Sequence, residues 1–320
     1  MKTKRREGKP MKPIAPKTLP ARIVVERGIL YKAGALLSPS GGGSRRFLLL
    51  SDLPDADPAP STLFASLAKA GHTIVRTPSE LPYPADVDAI LAVGDAKSLG
   101  DAARLIEERR PGLPCALVPT TLEAQLSFPF LSSPALVLCD PSLPATDADR
   151  KRATVEFLRY AVGFDASLFD LLYTDFDVGA LIRRCLTIRC DLYDAKKTDL
   201  LARLGTVIGL SVGEALADRD PGSAEDALDD ADKIAIGLAA ATRYALKTGY
   251  CRRDFLSELV GLLTYHGLPH SALVADGELI AAVKEHPWAD GKNLLSLPRR
   301  LGECGLVPFD PDSLTGLLPN

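Results

Sequence analysis

The residues most able to hold a metal or act as nucleophiles are six cysteines, at 115, 139, 185, 190, 251 and 304, and four histidines, at 72, 266, 270 and 286. No two cysteines form a Cys-x-x-Cys pair, so their spacing does not build a metal site. They read as small buried apolar residues of a protein in a reducing cytosol. A second chemical pair is Glu156 and Arg159. Their spacing of three puts a carboxylate and a guanidinium on one face of a helix. The pair has two readings: polar groups facing a site, or a surface salt bridge that contributes little. A third group is the arm from Met1 to Pro20, with Lys2, Lys4, Arg5, Arg6, Lys9, Lys12 and Lys17 against Glu7 alone. It is either an anion-binding arm or a solvated terminus, and the composition favours a disordered basic tail over 1–20.

Elements must position these groups. The chain has 320 residues, 46% hydrophobic and 25% charged, which suits two globular domains. A net charge of -3 gives no reason to expect nucleic acid. No apolar run approaches the roughly 20 residues of a membrane helix. The start has no secretory pattern, so a cytoplasmic protein without a membrane partner is expected. Compact apolar runs predict strands at Arg22–Val25, Phe47–Leu50, Thr73–Arg76, Ala89–Val93, Cys115–Val118 and Leu136–Cys139. Helical spacing runs over Leu63–Ala70 and Leu99–Arg109. After the linker Pro141-Ser142-Leu143-Pro144 the spacing is helical almost to Leu301. The clearest helices are Val155–Val162, Ala180–Leu192, Leu200–Ala217, Ala231–Lys247 and Arg253–His266. The acidic stretch Asp218–Asp232 reads as an exposed loop and helix start. The expected fold class is therefore α/β: a Rossmann-like, mostly parallel sheet domain over 21–145, then an all-helical domain over 146–320. A cleft between the two is expected.

Several segments, in order, resemble 3-dehydroquinate synthase. Ile23 to Leu30 is similar to that family's first strand and turn. Ala92-Val93-Gly94 through Gly100-Asp101 stands where the family has its glycine-rich cofactor turn. Val118-Pro119-Thr120-Thr121-Leu122, followed by Ala124-Gln125, reproduces a distinctive family string. Val155 to Tyr160 resembles a helix carrying a metal ligand, and Ile234 to Gly237 the helix after another. Gly267-Leu268-Pro269, Asp290-Gly291-Lys292 and Leu297-Pro298 match the C-terminal end. The resemblance implies a dehydroquinate synthase-like, iron-containing alcohol dehydrogenase-like fold. It also implies a lyase of the shikimate pathway that closes a seven-carbon sugar phosphate into a ring, with NAD as redox cofactor and zinc as Lewis acid. Phosphate or nucleotide ligands, a homo-oligomer, or pairing with an active paralogue belong to the same expectation.

The residues that would carry this activity are mostly replaced. The family's metal glutamate falls at Glu156, its first histidine at Thr206 and its second at Asp230 or close to it; none of the four histidines lies on these helices. Such an oxygen-only set suits magnesium or manganese better than zinc, so no zinc is expected. The turn's three glycines, which let a backbone touch pyrophosphate, become Gly94-Asp95-Ala96-Lys97. Asp95 adds a negative charge beside a phosphate, and Lys97 offers a compensating one. The remaining cofactor positions are Asp52, Gly94, Lys97, Asp101, Thr120 and Thr121. NAD is expected to bind weakly or not at all. The segment from Thr77 to Ala89 is shorter than the family's, and the lysine-rich loop after Gln125 is missing. Family lysines fall at Arg159, Arg189 and His286-Pro287, and Arg110 keeps an anion-binding character. The expectation is a catalytically impaired or inactive homologue, a pseudoenzyme. The rival reading is a divergent sugar-phosphate cyclase or polyol dehydrogenase, with Glu156 and Arg159 catalytic and Asp101 and Thr120 across the cleft.

Overall fold

The computed structural model describes residues 13–76, 86–109, 111–133, 135–174, 177–219, 228–285 and 293–318. The basic stretch 1–12, Arg110, the short segment 77–85, His286-Pro287 and Asp290-Gly291-Lys292 lie outside the described residues. The chain forms two compact units, one of 1–146 with 178–194 and the other of 147–177 with 195–320.

The first unit alternates β1 (Ala21–Val25), α1 (Ala33–Leu37), β2 (Arg46–Leu50), α2 (Pro58–Lys69), β3 (Thr73–Arg76), β4 (Ala89–Gly94), α3 (Ala96–Arg109), β5 (Cys115–Pro119), α4 (Leu122–Ser127) and β6 (Ala135–Cys139). Its six strands pair in the order β1-β6-β5-β4-β2-β3, every pair parallel. All six sequence-predicted strands are present. Ala89–Gly94 and Cys115–Pro119 are buried at every position, as a strand covered on both faces requires. Thr73–Arg76, at the edge, has no buried residue. Chain direction across the sheet reverses between β2 and β4, the crevice where open α/β sheets bind ligands. Ser51-Asp52 follows β2 there, and Gly94-Asp95 ends β4.

The chain continues through α5 (Asp147–Gly163), α6 (Ala166–Leu171), α7 (Val178–Asp194), α8 (Thr198–Arg203), α9 (Thr206–Arg219), α10 (Asp230–Lys247), α11 (Arg253–Tyr265), α12 (Asp276–Glu285), β7 (Leu294–Arg300) and β8 (Glu303–Pro308). Among the described residues the second unit is helical apart from the antiparallel hairpin β7-β8, where the sequence reading expected an all-helical domain. Its apolar core runs from Val207, Ile208 and Val212 through Ile236, Ala240 and Tyr244 to Leu295 and Leu297.

Several features differ from the sequence reading. Helix α7, assigned there to the helical domain, belongs to the first unit. Arg189 anchors it: its guanidinium lies 5.0 Å from the Phe128 ring and 4.5 Å from the Phe130 ring, and donates to the Phe128 carbonyl at 2.5 Å. Of the basic arm, residues 13–20 are described; most are exposed, and they are tied to the first unit. Ile14 bridges to Ile23, and the amides of Lys17 and Thr18 donate to the Asp194 carboxylate at 2.8 and 3.1 Å. Finally, the expected helix Leu200–Ala217 is two helices. Gly205 adopts a left-handed φ of 77°, which interrupts the helix between Arg203 and Thr206. The span Thr198–Ala217 does have the length and mean hydropathy, 1.5, of a membrane segment, contrary to the sequence reading. That apolarity serves packing: Val207, Ile208 and Val212 of α9 are buried in the core with Ile236 and Ala240 of α10, and the helices lie so close that a Cβ at Gly209 would fall on the Lys233 carbonyl.

Candidate functional site

The cofactor positions gather at the carboxyl edge of the first unit's sheet. Gly94 and Pro119 are partners across β4 and β5, and the Thr120 amide donates to the Gly94 carbonyl at 2.9 Å. Glycine is needed at 94, because a Cβ there would meet the Ser98 Cβ at 2.6 Å. Thr121 caps α4, its Oγ1 accepting from the Ala124 amide at 3.1 Å. The distinctive Pro-Thr-Thr-Leu string is therefore also a strand end and a helix cap. Asp140, buried beyond β6, accepts from the Gly28 amide at 2.9 Å and the Ser142 amide at 3.0 Å. It holds the turn after β1 and was not singled out in the sequence. Asp52, Lys97 and Asp101 are exposed, and Asp101 pairs with Arg104 at 2.9 Å.

Asp95 decides what this edge can bind. A helix start of this kind attracts phosphate because its first amides lack intrahelical partners. Here the Asp95 carboxylate takes the Ser98 amide at 2.8 Å. That hydrogen bond, with the Ser98 hydroxyl and the Lys97 charge helping, holds the Asp95 carboxyl below the usual carboxylate range against the opposing effect of partial burial. The helix start thus carries its own anion. We expect Asp95→Ala to cost about 0.5–1 kcal/mol and Asp95→Gly less, as for other exposed caps. The cap should be fully in place above the unfolded carboxyl's pKa and lost as pH falls through the lower native value. A side-chain NMR titration of Asp95 checks this; a native midpoint at or above the ordinary value would contradict it.

The metal positions lie in the second unit. Arg159 is buried on α5. Its Nη1 donates to Glu156 Oε1 at 2.7 Å, Nε to the Leu204 carbonyl at 3.0 Å, and Nη2 to Thr206 Oγ1 at 3.2 Å and to the Leu201 carbonyl. Glu156 and Arg159 expose only 13% and 9% of their side chains, so the surface-bridge reading is replaced by a buried, multiply bonded pair. Both carbonyls belong to the end of α8, where the helix dipole favours a cation, although the Leu201 carbonyl also accepts from the Leu204 amide at 3.2 Å. The catalytic candidates are therefore brought together, and Thr206 with them, but the guanidinium is committed to the protein itself.

Asp230 is not part of that cluster. It opens α10 at 72% side-chain exposure and pairs with Lys233 at 3.0 Å. Its neighbours Asp229 and Asp232 are held by Lys151 of α5, at 3.0 and 2.7 Å. Burial works against both charges, and the hydrogen bonds more than offset it. The Lys151 ammonium titrates above its ordinary range and the Asp229 carboxyl below. Among the described residues, no three His, Cys, Asp or Glu side chains are grouped to hold a metal ion. The residues do not fit the metal that the resemblance implies.

No family model matches the chain. The curated 3-dehydroquinate synthase of Pelobacter propionicus is 28% identical over 188 residues, which cover 49% of this chain and 51% of that protein. The match thus spans about half the length of that relative. The fold resembles 2-deoxy-scyllo-inosose synthase complexed with carbaglucose-6-phosphate, NAD+ and Co2+, at a TM-score of 0.72 and 14% identity over 95% of this chain and 97% of that one. It also resembles the 2-epi-5-epi-valiolone synthase of Streptomyces hygroscopicus subsp. jinggangensis with NAD+ and Zn2+ bound, at a TM-score of 0.66 and 19% identity over 91% and 94% of the two chains. The chain has the fold of these two enzymes, and about half of it is similar in sequence to 3-dehydroquinate synthase.

Proposed function

We propose that this protein is a dehydroquinate synthase-like pseudoenzyme that has lost the NAD- and metal-dependent cyclase reaction. It acts as a binding or assembly partner, with an active paralogue as the fitting companion. The observation that carries this reading is the Asp95 carboxylate on the Ser98 amide. A dinucleotide pyrophosphate at the start of α3 would have to displace that carboxylate or lie beside its charge. The two synthase structures named above carry NAD+ and a divalent metal. Here the cofactor turn and the metal positions are altered together, and residues that act as a unit fail as a unit. A reducing, cytoplasmic setting belongs to the same reading: all six cysteines are free thiols, five of them buried.

Calorimetric titration with NAD, with an assay coupled to dehydroquinase, tests the proposal. The expected result is no micromolar binding and no dehydroquinate formed. Micromolar NAD binding with turnover would favour the rival, a divergent NAD-dependent sugar-phosphate cyclase or polyol dehydrogenase with a rebuilt site.

A further inference from the structure

The geometry points to a replaced ion: in the helical unit, side-chain cations of the chain itself have taken over the place and the charge of a bound metal. This stands apart from the nucleotide question, because it concerns residues of the second unit only.

Each anionic group left at or beside the metal positions has a side-chain cation. Glu156 is matched by Arg159, Asp230 by Lys233, and Asp229 with Asp232 by Lys151. The exposed Asp230–Lys233 pair contributes little. The Arg159 group differs because it is buried and directional. One planar guanidinium joins a carboxylate, a hydroxyl and two carbonyls, drawn from α5, the end of α8 and the start of α9. Gathering oxygens from several segments around one positive centre is also what a hard metal ion does. Arg159 does so from within the chain, so the break at Gly205 is tied to α5 without an exogenous ion. A divalent cation approaching Glu156 would meet the guanidinium's charge and would have to take oxygens already engaged by its donors. Thr206 adds no nitrogen donor to attract zinc.

Two kinds of measurement test this. Purified wild-type protein should hold no stoichiometric metal, and its Tm should be the same in EDTA, zinc and manganese. Arg159→Ala removes the cation and leaves an oxygen-only set around Glu156, of the type that suits manganese rather than zinc. That variant should melt lower than wild type and regain part of the loss in manganese. Arg159→Ala combined with Glu156→Gln should show no such recovery. If Arg159→Ala does not fold, Arg159→Lys replaces it: retaining a cation, it should stay metal-insensitive. A wild-type Tm that rises with metal, one bound metal per chain, a folded Arg159→Ala protein indifferent to manganese, or a metal response in Arg159→Lys would each overturn the inference.

Discussion

Gly237→Ala is expected to destabilise the protein by about 3 kcal/mol or more, at or beyond the upper end for overpacking. A Cβ at 237 would fall on the Gly205 carbonyl oxygen and lie 2.5 Å from the Gly209 amide nitrogen and 2.8 Å from its Cα. These are backbone atoms, which cannot rotate away as a side-chain end can. The α9–α10 crossing would have to open, loosening the core around Val207, Ile208 and Ile236. Gly277→Ala in α12 is the control. It has no atom within 4 Å of the added methyl and should instead stabilise, by roughly 0.4–1 kcal/mol through lower unfolded-state entropy. Urea unfolding followed by circular dichroism reads both variants. An unchanged midpoint for Gly237→Ala would mean that the two helices do not pack as closely as described.

Arg159→Met is expected to cost about 3–5 kcal/mol, the range for breaking a buried pair and stranding its partner. The methionine keeps much of the side-chain volume but no donor. Glu156 would then face an uncharged neighbour, and the end of α8 would lose its cation. Glu156→Gln should cost less, because the amide oxygen can still accept from the guanidinium. Made together, the two changes should cost clearly less than the sum of the separate losses, with a coupling of about 1 kcal/mol or more. Simple additivity would show that Arg159 contributes through the carbonyls of Leu201 and Leu204 rather than through Glu156.

Much of the fold was legible in the sequence because it is written in local patterns. Apolar runs such as Ala89 to Val93 and Cys115 to Val118 identified strands to within a residue or two. The β7-β8 hairpin was harder to see. Leu294–Arg300 has four consecutive buried residues in place of an alternating pattern, and it contains Pro298, which cannot donate to a ladder. The break between α8 and α9 was hidden because the apolar spacing of Leu200 to Ala217 continues across it. Gly205 signals it only when its contact with α10 is known, since a Cβ there would sit 3.0 Å from the Ile234 carbonyl.

The sequence by itself determined the six strands of the parallel sheet and most of the helices, the sheet-then-helix order, the resemblance to 3-dehydroquinate synthase, and the departures from that family's residue types at the positions the resemblance implies. It also determined that Glu156 and Arg159 share a helix face, since a spacing of three does so in any α-helix. Tertiary structure alone decided what that face meets. The partners that convert the pair from a surface bridge into a buried centre, Leu204 and Thr206, lie 45 and 47 residues from Arg159. Asp95 is an intermediate case: its position before a helix is readable, whereas its hold on the Ser98 amide depends on how β4 turns into α3. The physical reason is common to all of these. Spacing along the chain fixes direction within one element, but burial and hydrogen-bond partners are set by segments that only folding brings into contact.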